Sequence, residues 1–168
     1  MNPVQAKNWI LDSAAVKRKL KRMALEVAEQ NADEVELIIA AINGNGEIVA
    51  KKLEQELHHI SPFYLRVATI ILNKKDPVVV SIDPLTDFEN KVVLIVDDVA
   101  NSGKTLMYAL KPFLSNHPKK IQTLVLVERS HKLFPIQTDY SGLSITTTLQ
   151  EHISVETEKD EIVGAWLD

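Results

Sequence analysis

The sequence predicts an α/β protein: a mainly parallel sheet with helices on both faces, plus a short hairpin. Three observations carry this. Apolar runs of strand length, Val35 to Ile42, Val92 to Val96 and Thr123 to Val127, recur along the chain. They are nearly apolar throughout rather than alternating, as strands covered on both faces are. Between them lie segments of helical period, long enough to cross over a sheet and return in parallel.

Each element has a local reason. Asp12 or Ser13 can cap a first helix reaching about Gln30, with Val16, Leu20, Met23 and Val27 on one face. The strand Val35 to Ile42 ends at the turn Asn43-Gly44-Asn45-Gly46. A second helix follows, turning Val49, Leu53 and Leu57 inward. Phe63 to Leu72 reads as a strand, Asn73 to Pro77 as a turn, and Val78 to Ile82 as the returning hairpin arm. Val92 to Val96 is the clearest core strand. After a polar loop, a helix is expected from Lys104 to about Ser115. The remaining chain mixes short strands and turns, with Ile145, Ile153, Val155, Val163 and Trp166 as packing points.

The 168 residues suit a single domain spanning 1–168. The chain has no cysteine, which excludes disulfides, thiolate metal sites and a cysteine nucleophile, and fits a reducing compartment such as the cytoplasm. Met1 to Gln5 lack the charged and apolar regions of a signal peptide. No apolar run is long enough to cross a bilayer. A formal net charge of −4 gives no overall attraction to nucleic acid.

The segment Val92-Val93-Leu94-Ile95-Val96-Asp97-Asp98-Val99-Ala100-Asn101-Ser102-Gly103-Lys104-Thr105 carries the chemistry. A buried strand ends at two adjacent carboxylates, expected where the strand leaves the core and a sugar or cation can reach them. Carboxylate pairs accept hydrogen bonds from vicinal hydroxyls. The small, polar residues that follow lead into a helix start, where backbone N–H groups favour a phosphate and Ser102 and Thr105 add hydroxyls. Alone, an Asp-Asp pair reads equally well as a turn and helix start. Ser-Gly-Lys-Thr also suggests a nucleoside triphosphate loop, but that motif needs a glycine where Asp98 stands.

Asp97-Asp98-Val99-x-x-Ser102-Gly103-x-Thr105 after an apolar strand resembles the phosphoribosyl pyrophosphate signature of type I phosphoribosyltransferases. Val125 to Gly142, with Glu128-Arg129-Ser130-His131, Pro135-Ile136 and Asp139-Tyr140-Ser141-Gly142, is similar to one branch, the bifunctional pyrimidine operon attenuator and uracil phosphoribosyltransferases. The resemblance implies that Asp97 and Asp98 bind the ribose hydroxyls, directly or through Mg2+. It makes Ala100, Asn101, Ser102, Gly103, Lys104 and Thr105 the 5-phosphate loop. Ile42 to Gly46, including Asn43 and Gly44, becomes the pyrophosphate loop, and Val127, Glu128 and Arg129 border the base. The hairpin from Thr69 to Ile82 becomes a catalytic hood. A cytoplasmic homodimer or homotetramer is implied, using phosphoribosyl pyrophosphate and a nucleobase, which in this branch is a pyrimidine.

Two departures stand out. The branch carries Lys-Thr-Arg-Gly in its pyrophosphate loop, where this chain has Asn43-Gly44-Asn45-Gly46 and no cation. Lys74 or Lys75 stands near an expected Tyr-Arg pair. Asn101 occupies the position of a general base in purine-using relatives, and an amide cannot take a proton. The expected activity is therefore a slow uracil phosphoribosyltransferase. The alternative is a regulatory module that senses a nucleotide or phosphoribosyl pyrophosphate, with RNA as a less favoured partner.

Other features have plainer readings. Lys17, Arg18, Lys19, Lys21 and Arg22 form a basic run that reads first as a solvated helix face. His58 and His59 end a helix without a third metal ligand at suitable spacing. His131 reads as a loop or pocket residue. Trp9 and Trp166 read as packing or subunit-contact residues.

Overall fold

The computed structural model describes residues 6–61 and 63–168; the segment Met1 to Gln5, read above for targeting signals, lies outside them. The main sheet has six strands in the order β4-β3-β2-β5-β6-β7. These are β2 (Glu36–Ile42), β3 (Tyr64–Leu72), β4 (Val80–Asp83), β5 (Val92–Ala100), β6 (Lys120–Arg129) and β7 (Tyr140–Ile145). All neighbours are parallel except β4, which returns antiparallel to β3. The expected α/β fold with its hairpin is present.

Helix α1 (Ser13–Gln30) starts where Asp12 accepts a hydrogen bond from Ala15 N at 2.7 Å. With α2 (Asn45–Ile60) it covers one face, packing Leu20, Met23, Val27, Leu53 and Leu57 against Leu37, Ile39, Leu94 and Val96. The other face buries Ile38, Ile70, Val93 and Ile95 beneath Leu106, Phe88 and Phe113, whose rings meet edge to face at 4.8 Å. Burial on both faces is why these strands are apolar throughout.

Three differences from the sequence reading have physical causes. The helix expected from Lys104 to Ser115 is two short pieces, α3 (Lys104–Ala109) and α4 (Lys111–Leu114). Pro112 lacks an N–H and its ring disfavours a continuous helix through the preceding turn. Strand β5 runs past Val96 to Ala100, because Asp97, Val99 and Ala100 stay in register with Val125, Val127 and Glu128 of β6. The third is a second sheet: β1 (Asn8–Asp12), β8 (Ile153–Glu158) and β9 (Glu161–Leu167) form an antiparallel sheet ordered β1-β9-β8. Strand β1 is only five residues long and ends on the helix cap itself, and its pairing of Asn8 with Leu167 has no local signal.

Chain order reverses at the centre of the main sheet. From β2 the chain moves outward to β3, then returns to place β5 on the other side of β2. Such a switch point opens a crevice beyond the carboxyl ends of the two strands. Here those ends are Ile42 leading to Asn43, and Asp97-Asp98 leading to Ala100.

Candidate functional site

A cleft of about 580 Å³ occupies this crevice. Its floor and one wall are Asp98 to Leu106; Asn45, Lys74 and Lys75 face them, and His152 to Val155 of the second sheet close the end. Asp97 lies just beneath, only 1% exposed, and Asp98 is 8% exposed. The pair therefore does not stand in the open after a strand. It sits inside the last turn of the core, because β5 continues through it.

The carboxylates are held from several sides. Asp97 Oδ1 accepts from Asp98 N at 2.9 Å, and Asp98 Oδ1 from Val99 N at 2.9 Å. Asn45 Nδ2 donates to Asp98 Oδ2 at 3.0 Å and to Val155 O at 3.1 Å. Lys74 Nζ lies 3.0 and 3.3 Å from the two oxygens of Asp97 and 3.4 Å from Asp98 Oδ1. Burial pushes the Asp97 carboxyl up, the adjacent Asp98 charge adds to this, and Lys74 opposes it. Burial pulls the Lys74 ammonium down, but the two carboxylates outweigh it and leave it raised. Gly46 lets α2 approach this strand end: a Cβ there would stand 3.0 Å from Val96 O and 3.1 Å from Asp97 Oδ1.

The loop after the pair is fixed by its own turn and by a neighbouring loop. Gly103 has φ +82°, and Ser102 Oγ accepts from Lys104 N at 3.2 Å. Ser102 O accepts from Leu133 N and Phe134 N, so the 130–136 segment buttresses the loop from behind. Asn101 is clamped to β8: its Nδ2 donates to Ile153 O and its Oδ1 accepts from Ile153 N, each at 3.2 Å. Ala100, Asn101, Ser102, Gly103, Lys104 and Thr105 all line the cleft.

The other sequence candidates divide. Asn43 and Gly44 do not line the cleft. Asn43 turns to β3, where its Oδ1 accepts from Leu72 N at 3.2 Å, and Gly44 N donates to Glu47 Oε2 at 2.9 Å. Asn45, in the same turn, is the residue that reaches inward. Val127 is fully buried in the core. Glu128 accepts from Lys132 Nζ at 2.8 Å and from Thr138 Oγ1 at 2.6 Å. Arg129 Nη2 donates to Glu151 O, beside the cleft end, and its buried Nε has no protein partner. None of these three lines the cleft.

The sequence reading missed Leu106 and the stretch His152 to Val155. It placed Asn45 in the loop of residues 42–46, but singled out Asn43 and Gly44 there rather than Asn45. Ile153 of the β8 wall lies 52 residues from Asn101, and only the spacing of Ile153 and Val155 hints at a strand.

Two aspartates with hard oxygen donors suit Mg2+, which commonly takes one or two carboxylates and completes its shell with water and substrate phosphate oxygens. The Lys74 ammonium among three of these oxygens is a stand-in cation and shows that the spot favours positive charge. Among the described residues no cluster of three or more His, Asp or Glu could hold a metal by protein groups alone. His58 pairs with Glu54 at 3.4 Å, and His131 is exposed. In the basic run, Arg22 is engaged with Glu26 and with the carbonyls of Ser141 and Gly142, while Lys17, Arg18 and Lys21 are exposed. Trp9 and Trp166 are paired across β1 and β9 with Lys7 over both rings. Among the described residues no helix is long and apolar enough to cross a membrane.

Comparison with known proteins shows the family and the fold. The phosphoribosyl transferase domain family matches residues 8–161. The chain is 35% identical to the bifunctional protein PyrR of Staphylococcus aureus, over 89% of this chain and 91% of that one. It is 31% identical to the bifunctional protein PyrR of Clostridium kluyveri, covering 91% and 92%. Among solved structures, the hypoxanthine phosphoribosyltransferase of Trypanosoma cruzi superposes with a TM-score of 0.79 at 18% identity, covering 97% of this chain and 98% of that one. A hypoxanthine-guanine phosphoribosyltransferase of Bacillus anthracis gives 0.71 at 19% identity, covering 84% of each. At those identities the structures speak for the fold.

Proposed function

This chain belongs to the phosphoribosyl transferase domain family, and from that premise we propose that it binds a ribose 5-phosphate in the cleft and transfers the phosphoribosyl group to a nucleobase, uracil by its resemblance. The observation that carries the reading is the meeting of Asp97 and Asp98 with the Ala100–Thr105 loop at the sheet's switch point. Acceptors for sugar hydroxyls and donors for a phosphate would thereby share one cleft.

In this mechanism the carboxylates of Asp97 and Asp98 receive the ribose 2- and 3-hydroxyls and would hold Mg2+. When bound, that ion supplies positive charge against the departing pyrophosphate. The N–H groups of the 102–105 turn, with the hydroxyls of Ser102 and Thr105, hold the 5-phosphate. The C1–oxygen bond to pyrophosphate breaks as the bond from C1 to a base nitrogen forms, and the proton of that nitrogen passes to water in the open cleft. Asn101 does not take it: both ends of its amide are bonded to Ile153. This counts against a purine acceptor, because purine-using relatives place a general base at that loop position.

The leaving group has the weakest provision. Asn43, Gly44, Asn45 and Gly46 carry no charge, and the amide of Asn45 is committed to Asp98 and Val155. Removing one well-placed donor to a developing anion lowers a rate by about a hundredfold to a thousandfold. Turnover is accordingly slow, while nucleotide binding is near normal. The same observation favours a second reading, a sensor of nucleotide or phosphoribosyl pyrophosphate with little catalysis. Steady-state pyrophosphate release with uracil, measured beside the dissociation constant of uridine monophosphate, tests both. Turnover near a typical ten per second would overturn the weakened-site argument. Binding without any turnover would select the sensor.

A further inference from the structure

The hood between β3 and β4 is tied down at three places. At its root, Asn43 N donates to Ile70 O at 2.9 Å and Asn43 Oδ1 accepts from Leu72 N at 3.2 Å. Asn73 then folds the chain back: its side chain accepts from Lys75 N at 3.0 Å and its carbonyl from Asp76 N at 3.1 Å. On the far side, Lys111 Nζ donates to Val78 O. Between these ties the turn directs one side chain, Lys74, across the mouth of the cleft and onto both carboxylates.

The two partners differ in how removable they are. Asp97 and Asp98 are fixed in the sheet, with side chains 1% and 11% exposed, whereas that of Lys74 is 43% exposed and stands on a flexible stem. Two desolvated carboxylates side by side repel each other, and a cation between them is the direct relief. An ammonium 3.0–3.4 Å from three of their oxygens fills the volume in which a divalent ion would contact the same atoms. Both cannot be there at once.

We propose that Lys74 is a tethered counter-ion that latches the hood over the ligand-free site, and that a sugar phosphate with its divalent cation opens the latch by taking over Asp97 and Asp98. This rests on the reading of that pair as the sugar and cation seat. Its consequence runs against the habit of a lid that is loose when empty and ordered when full. Here the empty protein is the ordered one at the hood, and the apparent affinity for cation is lowered by the fraction of molecules in which Lys74 holds the seat.

The test uses the whole chain, with Mn2+ as a paramagnetic probe for the divalent site and ribose 5-phosphate as the sugar ligand. Hydrogen exchange of residues 73–76 and Mn2+ affinity are measured in the parent protein, Lys74→Met, Lys74→Arg and Asp98→Asn. In the parent, Mn2+ with ribose 5-phosphate should speed exchange at 73–76. Lys74→Met should already exchange about tenfold faster when empty, as loss of a partly exposed ion pair allows, and should bind Mn2+ about threefold to tenfold more tightly. Lys74→Arg should restore protection. Equal Mn2+ affinity in the parent and Lys74→Met overturns the latch, as does slower hood exchange on ligand binding. Asp98→Asn separates the two claims. If it leaves Mn2+ binding intact, the seat itself is misassigned. If it abolishes binding while Lys74→Met changes nothing, the latch alone fails.

Discussion

Asn101 shows how one side chain can be both in a site and unavailable to it. Its amide donates to Ile153 O and accepts from Ile153 N, so only an amide satisfies both. Asn101→Asp would aim a carboxylate at a carbonyl oxygen; we expect a loss of about 1–3 kcal/mol by urea denaturation and no gain of activity toward hypoxanthine. A gain would show that the clamp is dispensable. Gly103 is constrained differently. At φ +82° an L side chain is strained, and its Cβ would stand 2.9 Å from Ile136 Cγ2. Gly103→Ala should cost about 1–2 kcal/mol and weaken ribose 5-phosphate binding, read by calorimetry. Glu128 carries a pH signature. Burial pushes its carboxyl up, but Lys132 and Thr138 outweigh this and lower it below 4.5. Stability from this group is therefore present above the unfolded carboxylate range and lost as pH falls through the lower folded value. Replacing Glu128 by Gln should remove that part of the acid-side slope and strand the Lys132 ammonium, whose side chain is 8% exposed. An unchanged slope in the variant would exclude the assignment.

At the scale of elements, α1 carries a basic run whose members do different things. Arg22 bridges from the helix to the carbonyls of Ser141 and Gly142 at 2.9 and 3.0 Å, fastening α1 to β7. Arg22→Met should cost about 1–2 kcal/mol. Lys17→Gln and Arg18→Gln should fall within about 0.5 kcal/mol, and should leave any retardation of structured RNA in a low-salt gel unchanged. Tight, salt-sensitive retardation lost on those two changes would reveal a nucleic-acid face. The same element view explains what a charge-restoring change at the pyrophosphate loop would do. Asn43 holds the root of the hood and Asn45 ties Asp98 to Val155. Asn43→Lys with Asn45→Arg would therefore add charge and break both ties together, so it does not isolate the effect of charge.

For the molecule as a whole, ligand binding should appear as stability. At a hundred times its dissociation constant, uridine monophosphate adds about 2.7 kcal/mol, which for a chain of this size raises Tm by about 5–10 °C. Asp98→Asn should keep the ligand-free Tm and lose the shift; a retained shift would move the sugar site elsewhere. The main sheet was legible in the sequence because two-sided burial leaves apolar runs, as in Ile38 to Ile42 and Val92 to Val96. The Asp97 to Thr105 segment was legible because strand, carboxylates and loop are contiguous. What stayed hidden is what the chain assembles across distance: the turn of Asn43 toward β3, the inward reach of Asn45, the β8 wall, and Lys74 on the carboxylates. The small sheet is the extreme case, and it has a temporal consequence. Asn8 pairs with Leu167 and Trp9 with Trp166, so during synthesis the first strand must wait for the ninth. Until β8 and β9 emerge, the end of the cleft has no wall and Asn101 has no Ile153 to grip. A ribosome-bound chain would carry a formed parallel sheet beside an unfinished pocket, and ligand competence would arrive as the last event of folding rather than growing with length.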